Sequence, residues 1–103
     1  MVEIIRGTDI KFNLNILPIG GISMSSYDFR VVAYVKGTNQ RITIIKDSCA
    51  MEDDDNYTVP VDTTSLGLGE LLLDVYAFIP DTDFNDGLRT EIVRLKTEIQ
   101  IVQ

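Results

Sequence analysis

The chain has 103 residues, 45% of them apolar and 24% charged, with a net charge of −7 and neither histidine nor tryptophan. This length predicts one domain, residues 1–103, around a single core, and the composition excludes a disordered or collagenous chain. Without histidine the chain lacks the side chain that most often does general acid–base work near neutral pH, and the excess of carboxylates disfavours nucleic acid.

The charge is uneven. Residues 47–88 hold eleven carboxylates and no lysine or arginine, and all nine basic residues lie in the flanking segments. Such a surface tolerates a basic or cation-bridged protein partner. No stretch approaches the apolar length of a membrane span, and Glu3, Arg6 and Asp9 interrupt the first residues where a secretory segment would be apolar. The expectation is a chain made in the cytoplasm, with no membrane association. Cys49 has no second cysteine to pair with, so no internal disulfide forms, and it reads as a small apolar filler or exposed thiol.

Residues 2–6 read as a short strand closed by Gly7-Thr8. Next, Ile10, Phe12, Leu14 and Ile16 alternate with Lys11, Asn13 and Asn15, the period of a half-solvated strand, which Pro18 and Gly20-Gly21 end. From 27 to 36, Tyr27, Phe29, Val31, Ala33 and Val35 face one way, and Asp28, Arg30, Val32, Tyr34 and Lys36 the other. Residues 36–40, KGTNQ, form a hairpin loop into RITIIKD, so these two strands pair directly.

Glu52, Asp53, Asp54 and Asp55 in a row read as a solvated loop within residues 48–56. Residues 57–61 form a brief strand, placed at an edge or beside a bulge because Pro60 has no N–H to give to a ladder. DTTSLGLGE reads as a turn or a single helical turn. In the next strand Leu71, Leu73, Val75, Ala77 and Ile79 oppose Leu72, Asp74, Tyr76 and Phe78, until Pro80 closes it. After DTDFNDG, a last strand turns Val93, Leu95, Thr97, Ile99 and Ile101 inward and Arg94, Lys96, Glu98 and Gln100 outward. About seven strands at these spacings predict an all-β fold, an antiparallel β-sandwich of immunoglobulin-like arrangement.

Motifs for chemistry are absent or fail. Asp81, Asp83 and Asn85 alternate as in a calcium loop, but Asp86 and Ile92 stand where that loop needs glycine and glutamate. Neither residues 81–86 nor the acids 52–55 have the spacing to wrap a hard cation. Asp74, in an apolar strand, would have a raised pKa if buried alone, yet no pocket is implied around it. Gly67 and Gly69 do not continue into a dinucleotide fingerprint. No catalytic, cofactor-binding or metal residue is assigned, and an enzyme is not expected.

The opening IIRGTDIKFNLNIL followed by YDFRVVAYV, and the later VDTTSLGLGELLLDVYAFIPD, resemble the N-terminal domains of phage baseplate upper proteins and related tail or fibre attachment modules. The resemblance implies a non-enzymatic virion component, built of β-sandwich subunits, commonly trimeric, that docks on other protein subunits of a phage or prophage tail, baseplate or head-fibre assembly. Tyr34, Tyr76 and Phe78, each opposite the more apolar face of its strand, are the candidate interface residues. The alternative is a small carbohydrate- or ligand-binding β-sandwich using exposed Tyr27 and Tyr57 for stacking.

Overall fold

The computed structural model describes residues 1–16 and 21–103. The strand-ending role expected of Pro18 and Gly20 lies outside the described residues. The described residues form eight strands in order: β1 (Val2–Ile5), β2 (Asp9–Leu14), β3 (Asp28–Val35), β4 (Arg41–Ile45), β5 (Ala50–Asp53), β6 (Asn56–Asp62), β7 (Gly69–Pro80) and β8 (Leu88–Val102). They form a five-stranded sheet, β1-β8-β7-β3-β4, and a three-stranded sheet, β2-β6-β5. Neighbours run antiparallel, apart from the parallel β1 and β8. The only helical turns among the described residues are 3₁₀ turns at Met24–Ser26 and Lys46–Ser48.

The alternation read from 27 to 36 and from 71 to 79 survives as burial. Phe29, Val31, Ala33 and Val35 of β3 and Leu71, Leu73, Val75, Ala77 and Ile79 of β7 are buried, and the smaller sheet meets them with Leu14, Tyr57, Val59 and Val61 in one cluster. Each valine, leucine, isoleucine or phenylalanine among them contributes about 1.5–3 kcal/mol when fully withdrawn from water.

Two expectations need correcting. The acidic segment is not a loop throughout: it contains β5, an edge strand of four exposed residues. An edge strand exposed on both faces keeps its charges hydrated while its backbone pairs on one side, so like-charge density does not exclude it. The turn to β6 is built by Asp53, whose Oδ1 accepts from the Asp55 N–H at 2.9 Å and from Asn56 Nδ2 at 2.8 Å. Second, the Pro60 strand, β6, is the middle strand of its sheet. It tolerates proline because β5 pairs only as far as Thr58, leaving β6 beside Pro60 with a partner on the β2 side alone. Residues 63–68 form a turn, one of the two readings of this segment, with Leu66 N–H donating to the Thr63 carbonyl at 3.1 Å.

β8 departs from simple alternation. Glu70 pairs with Gln100 but Leu72 with Lys96, so β8 carries extra residues opposite Leu71. Glu98 takes φ 59° there, a left-handed conformation costing a non-glycine residue about 1 kcal/mol. Thr97 holds the bulge: its Oγ1 donates to the Leu71 carbonyl at 2.7 Å and accepts from the Ile99 N–H at 3.1 Å. At the other end of β8 the inward phase turns polar, because Arg89 and Glu91 lie opposite Ile79 and Ala77. Arg89 bridges Asp81 at 2.7 Å and Glu91 at 2.9 Å. Gly69, at φ 134°, lets β7 begin close against β3, since a Cβ there would stand 2.9 Å from Val35 Cγ1.

Candidate functional site

Inward side chains of both sheets share one core cluster, and the opposite phase of the larger sheet lies outside it. Register assembles this open face into rows. Pairing sets Ile92 beside Tyr76, Tyr76 beside Arg30, and Arg30 beside Ile45. The next row runs Thr90, Phe78, Asp28. On the other side lie the rows Arg94, Asp74, Val32, Thr43 and Lys96, Leu72, Tyr34, Arg41. The three aromatic residues picked out in the sequence, Tyr34, Tyr76 and Phe78, therefore share one surface.

They do not share one environment. Tyr34 is 6% exposed and Asp74 5% although both lie outside the core cluster. The Tyr34 hydroxyl donates to Asp74 Oδ1 at 3.2 Å, and Arg94 grips the same carboxylate with Nε to Oδ1 at 2.9 Å and Nη2 to Oδ2 at 3.2 Å. Guanidinium groups form the lid, Arg41 Cζ at 4.6 Å and Arg94 Cζ at 5.8 Å from the Tyr34 ring centroid. Tyr34 thus offers a partner its cationic cover and not its ring. Tyr76 and Phe78 are half-buried, with Arg30 Cζ stacked 5.1 Å and 5.4 Å from their centroids. Ile45 and Ile92, 53% and 59% exposed, flank them.

The charge network has a definite sign. The Arg94 hydrogen bonds hold the Asp74 carboxyl below the ordinary carboxylate value despite its burial, the reverse of the raised value expected for a lone buried acid. Burial, and then the Asp74 charge, push the Tyr34 phenol up. A carboxyl with a depressed folded-state pKa stabilises the fold above its unfolded pKa, about 3.9, and loses that contribution as pH falls through the folded value. Asp74→Ala is expected to cost about 1–2 kcal/mol at pH 7, the value of hydrogen bonds to a charged group discounted for the exposed Arg94. Urea unfolding checks this: the gap between wild type and variant should narrow as pH falls below about 4, and a pH-independent gap would remove the charged pair as its cause.

Other sites of chemical interest resolve into structure. Tyr27 and Tyr57, expected at the surface, are 3% and 4% exposed, because both occupy inward phases where the sheets meet. Burial raises the Cys49 thiol pKa, disfavouring the thiolate that nucleophilic attack needs. Within residues 81–86, Asp81 Oδ1 accepts from the Asp83 N–H at 3.0 Å and Asp86 Oδ1 from the Leu88 N–H at 3.0 Å, as turn-forming aspartates do. Among the described residues, no group of three or more acidic, cysteine or histidine side chains is placed to hold a metal ion. An open recess of about 620 Å³ lies along β2 and β6, lined by Asp9, Ile10, Lys11, Pro60, Val61 and Asp62. The Asp62 carboxylate at its rim is engaged by Thr64, accepting from Oγ1 at 2.6 Å and from the N–H at 2.9 Å.

Ile45 and Ile92 were missed in the sequence, though each leaves a trace there. Both follow or precede an inward residue, in Ile44-Ile45 and Ile92-Val93, and so put an apolar side chain in the solvent phase of its strand. No protein-family model matches the chain, and no curated protein or solved structure matches it.

Proposed function

We propose that the chain is a non-enzymatic assembly module, an immunoglobulin-like β-sandwich of a phage or prophage virion, and that it docks on other protein subunits through the open face of its larger sheet. The strand order supports the finer architecture: β1-β8-β7-β3-β4 faces β2-β6-β5, the arrangement of an immunoglobulin-like domain whose first strand pairs in parallel with its last. The virion setting rests on the likeness of IIRGTDIKFNLNIL and YDFRVVAYV to baseplate upper protein N-terminal domains.

One observation carries the docking role. Tyr76, Phe78, Ile45 and Ile92 lie in two adjacent rows on the phase of the larger sheet opposite the core, with Arg30 between Tyr76 and Ile45 and stacked on both rings. Tyrosine, phenylalanine and arginine are enriched at protein interfaces, since rigid rings and a planar guanidinium lose little conformational freedom there. The carbohydrate-binding alternative loses its motive with the burial of Tyr27 and Tyr57. No helix of the described residues is long and apolar enough to cross a membrane.

Hydroxyl-radical footprinting tests the proposal on the isolated chain and on purified particles of the encoding phage. Tyr76, Phe78 and Ile92 should be oxidised in the isolated chain and at least fivefold protected in the particle. Absence of the chain from particles would overturn the virion setting. Its presence with these residues still oxidised would overturn the choice of face.

A further inference from the structure

We infer that the open face receives a second copy of this chain, docking head to tail through the tip of its β5–β6 hairpin; the inference rests on reading that face as a docking surface. Charge selects the occupant. The four central rows hold Arg30, Arg41, Arg94 and Lys96 against Asp28 and Asp74. Asp74 is paired with Arg94, and Asp28, whose Oδ1 accepts from the Phe29 N–H at 2.9 Å, keeps its charge, so four cations against two carboxylates leave these rows a net +2. The face is thus an island of positive charge on a molecule of net charge −7, and the rest of the chain carries five cations and fourteen carboxylates.

That segregation disfavours one mode of pairing and favours another. Two copies packed face to face about a two-fold axis would set the four cations against their own equivalents. A head-to-tail arrangement sets them against the acidic part of a neighbour, and complementary potentials raise both specificity and association rate. The hairpin fits best among the acidic elements. It belongs to the other sheet and not to the face that would receive it, and all four residues of β5 are exposed. Glu52 and Asp54 supply charge, and Met51, 59% exposed, supplies an apolar contact for Ile92 and Tyr76. The acidic segment 81–86 joins β7 to β8 within the same sheet, and its Asp81 is committed to Arg89.

Size sets the expected strength. β3 is 8 residues long, and at about 3.3 Å per residue and 4.8 Å per strand the four-strand face covers on the order of 500 Å². Full coverage of the face would bury on the order of 1,000 Å² in total, the lower bound of specific interfaces, and a hairpin whose β5 has 4 residues covers less. Self-association is therefore concentration-dependent and salt-sensitive.

Sedimentation velocity on the full chain tests this with two variants of complementary defect. Arg30→Glu/Lys96→Glu spoils the face and keeps the hairpin, and Glu52→Gln/Asp54→Asn does the reverse. Wild type should associate at tens of micromolar in low salt, with affinity at least tenfold weaker in about 0.5 M salt, where the Debye length is only a few ångström. Each variant alone should be at least tenfold weaker than wild type, and an equimolar mixture should form 1:1 dimers and nothing larger, because one intact face then meets one intact hairpin. Circular dichroism establishes that both variants fold, and Arg30→Gln/Lys96→Gln replaces the first if it does not. A mixture that stays monomeric, or wild-type association insensitive to both variants, overturns the inference. A wild type monomeric at millimolar concentration overturns self-docking alone, because protection of Tyr76 and Phe78 in particles is read separately and decides the docking face itself.

Discussion

Phe29→Ala is expected to lower the free energy of unfolding by about 3–5 kcal/mol, the cost of deleting a buried aromatic ring and leaving a cavity. Phe29 is 1% exposed and stands on β3 where the larger sheet meets the smaller. Its ring makes an edge contact with Tyr57 of β6 at 5.1 Å and 81°, and another with Tyr27 at 6.5 Å and 65°. Such aromatic pairs add about 0.5–1.5 kcal/mol beyond area burial. Lys46 closes the cluster from the side. Its Nζ lies 6.0 Å from the Phe29 centroid and 5.8 Å from that of Tyr57, and donates to the Tyr27 carbonyl at 2.8 Å and the Ser25 carbonyl at 3.3 Å. Removing the ring therefore loosens a contact between sheets and the seat of the residue tying the turn after β4 to the start of β3.

For a domain whose total stability is about 5–15 kcal/mol, this loss brings the variant near the threshold of folding. Urea unfolding with an unchanged slope would measure it, with Ile45→Ala on the open face as the control, expected within about 0.5 kcal/mol of wild type. A cost below about 1 kcal/mol for Phe29→Ala would mean that the two sheets do not share this core.

The success of period-two reading is visible at this junction, and so is its limit. In residues 27–36 and 71–79, alternation assigned every inward side chain, because a strand has only two faces and one of them is buried here along its whole length. The same rule was weaker for β8. The three-stranded sheet leaves Val93 and Leu95 half-buried, and the bulge at Glu98 changes register in a way that no local composition announces. β5 was hidden for a different reason: all of its residues are exposed, so it carries no hydrophobic period, and only pairing with β6 makes it a strand.

The candidate site was legible in a similar half. Phase alone places Tyr34, Tyr76 and Phe78 on the solvent side of their strands, but which of them are neighbours depends on pairings between residues over forty positions apart, such as Arg30 with Tyr76 and Asp28 with Phe78. Register also brings Arg94 and Arg41 over Tyr34 and Asp74. This separates a closed polar cluster from the more exposed Tyr76, Phe78, Ile45 and Ile92 in two adjacent rows. The positive island likewise depends on register, since Arg30, Arg41, Arg94 and Lys96 are dispersed along three strands.

The inner side of the same junction carries the second large effect, on the alkaline side. The Tyr27 pKa is pushed from 10.0 to about 12, by burial first and then by the charges of Glu91 and Asp55 and by Tyr57, and its hydroxyl donates to the Ile16 carbonyl at 3.0 Å. A phenol is neutral when protonated, so a raised folded-state value means that the unfolded chain releases its proton first. Stability is then fully present below the unfolded pKa of about 10 and is lost as pH rises from there through the folded value, by about 1.4 kcal/mol per pH unit and about 2–3 kcal/mol in all.

Tyr34 and Tyr57, also raised by burial, steepen the same limb. Urea unfolding between pH 9 and 12 should therefore show a falling profile in wild type. Tyr27→Phe should give a distinctly shallower one, from a starting stability lowered by about 1 kcal/mol for the lost hydrogen bond. Tyrosinate absorbance supplies an independent reading, because the folded wild type at pH 11 should hold more un-ionised phenol than the variant. Parallel profiles with equal slopes would exclude Tyr27 as the group whose withheld proton links alkaline pH to unfolding.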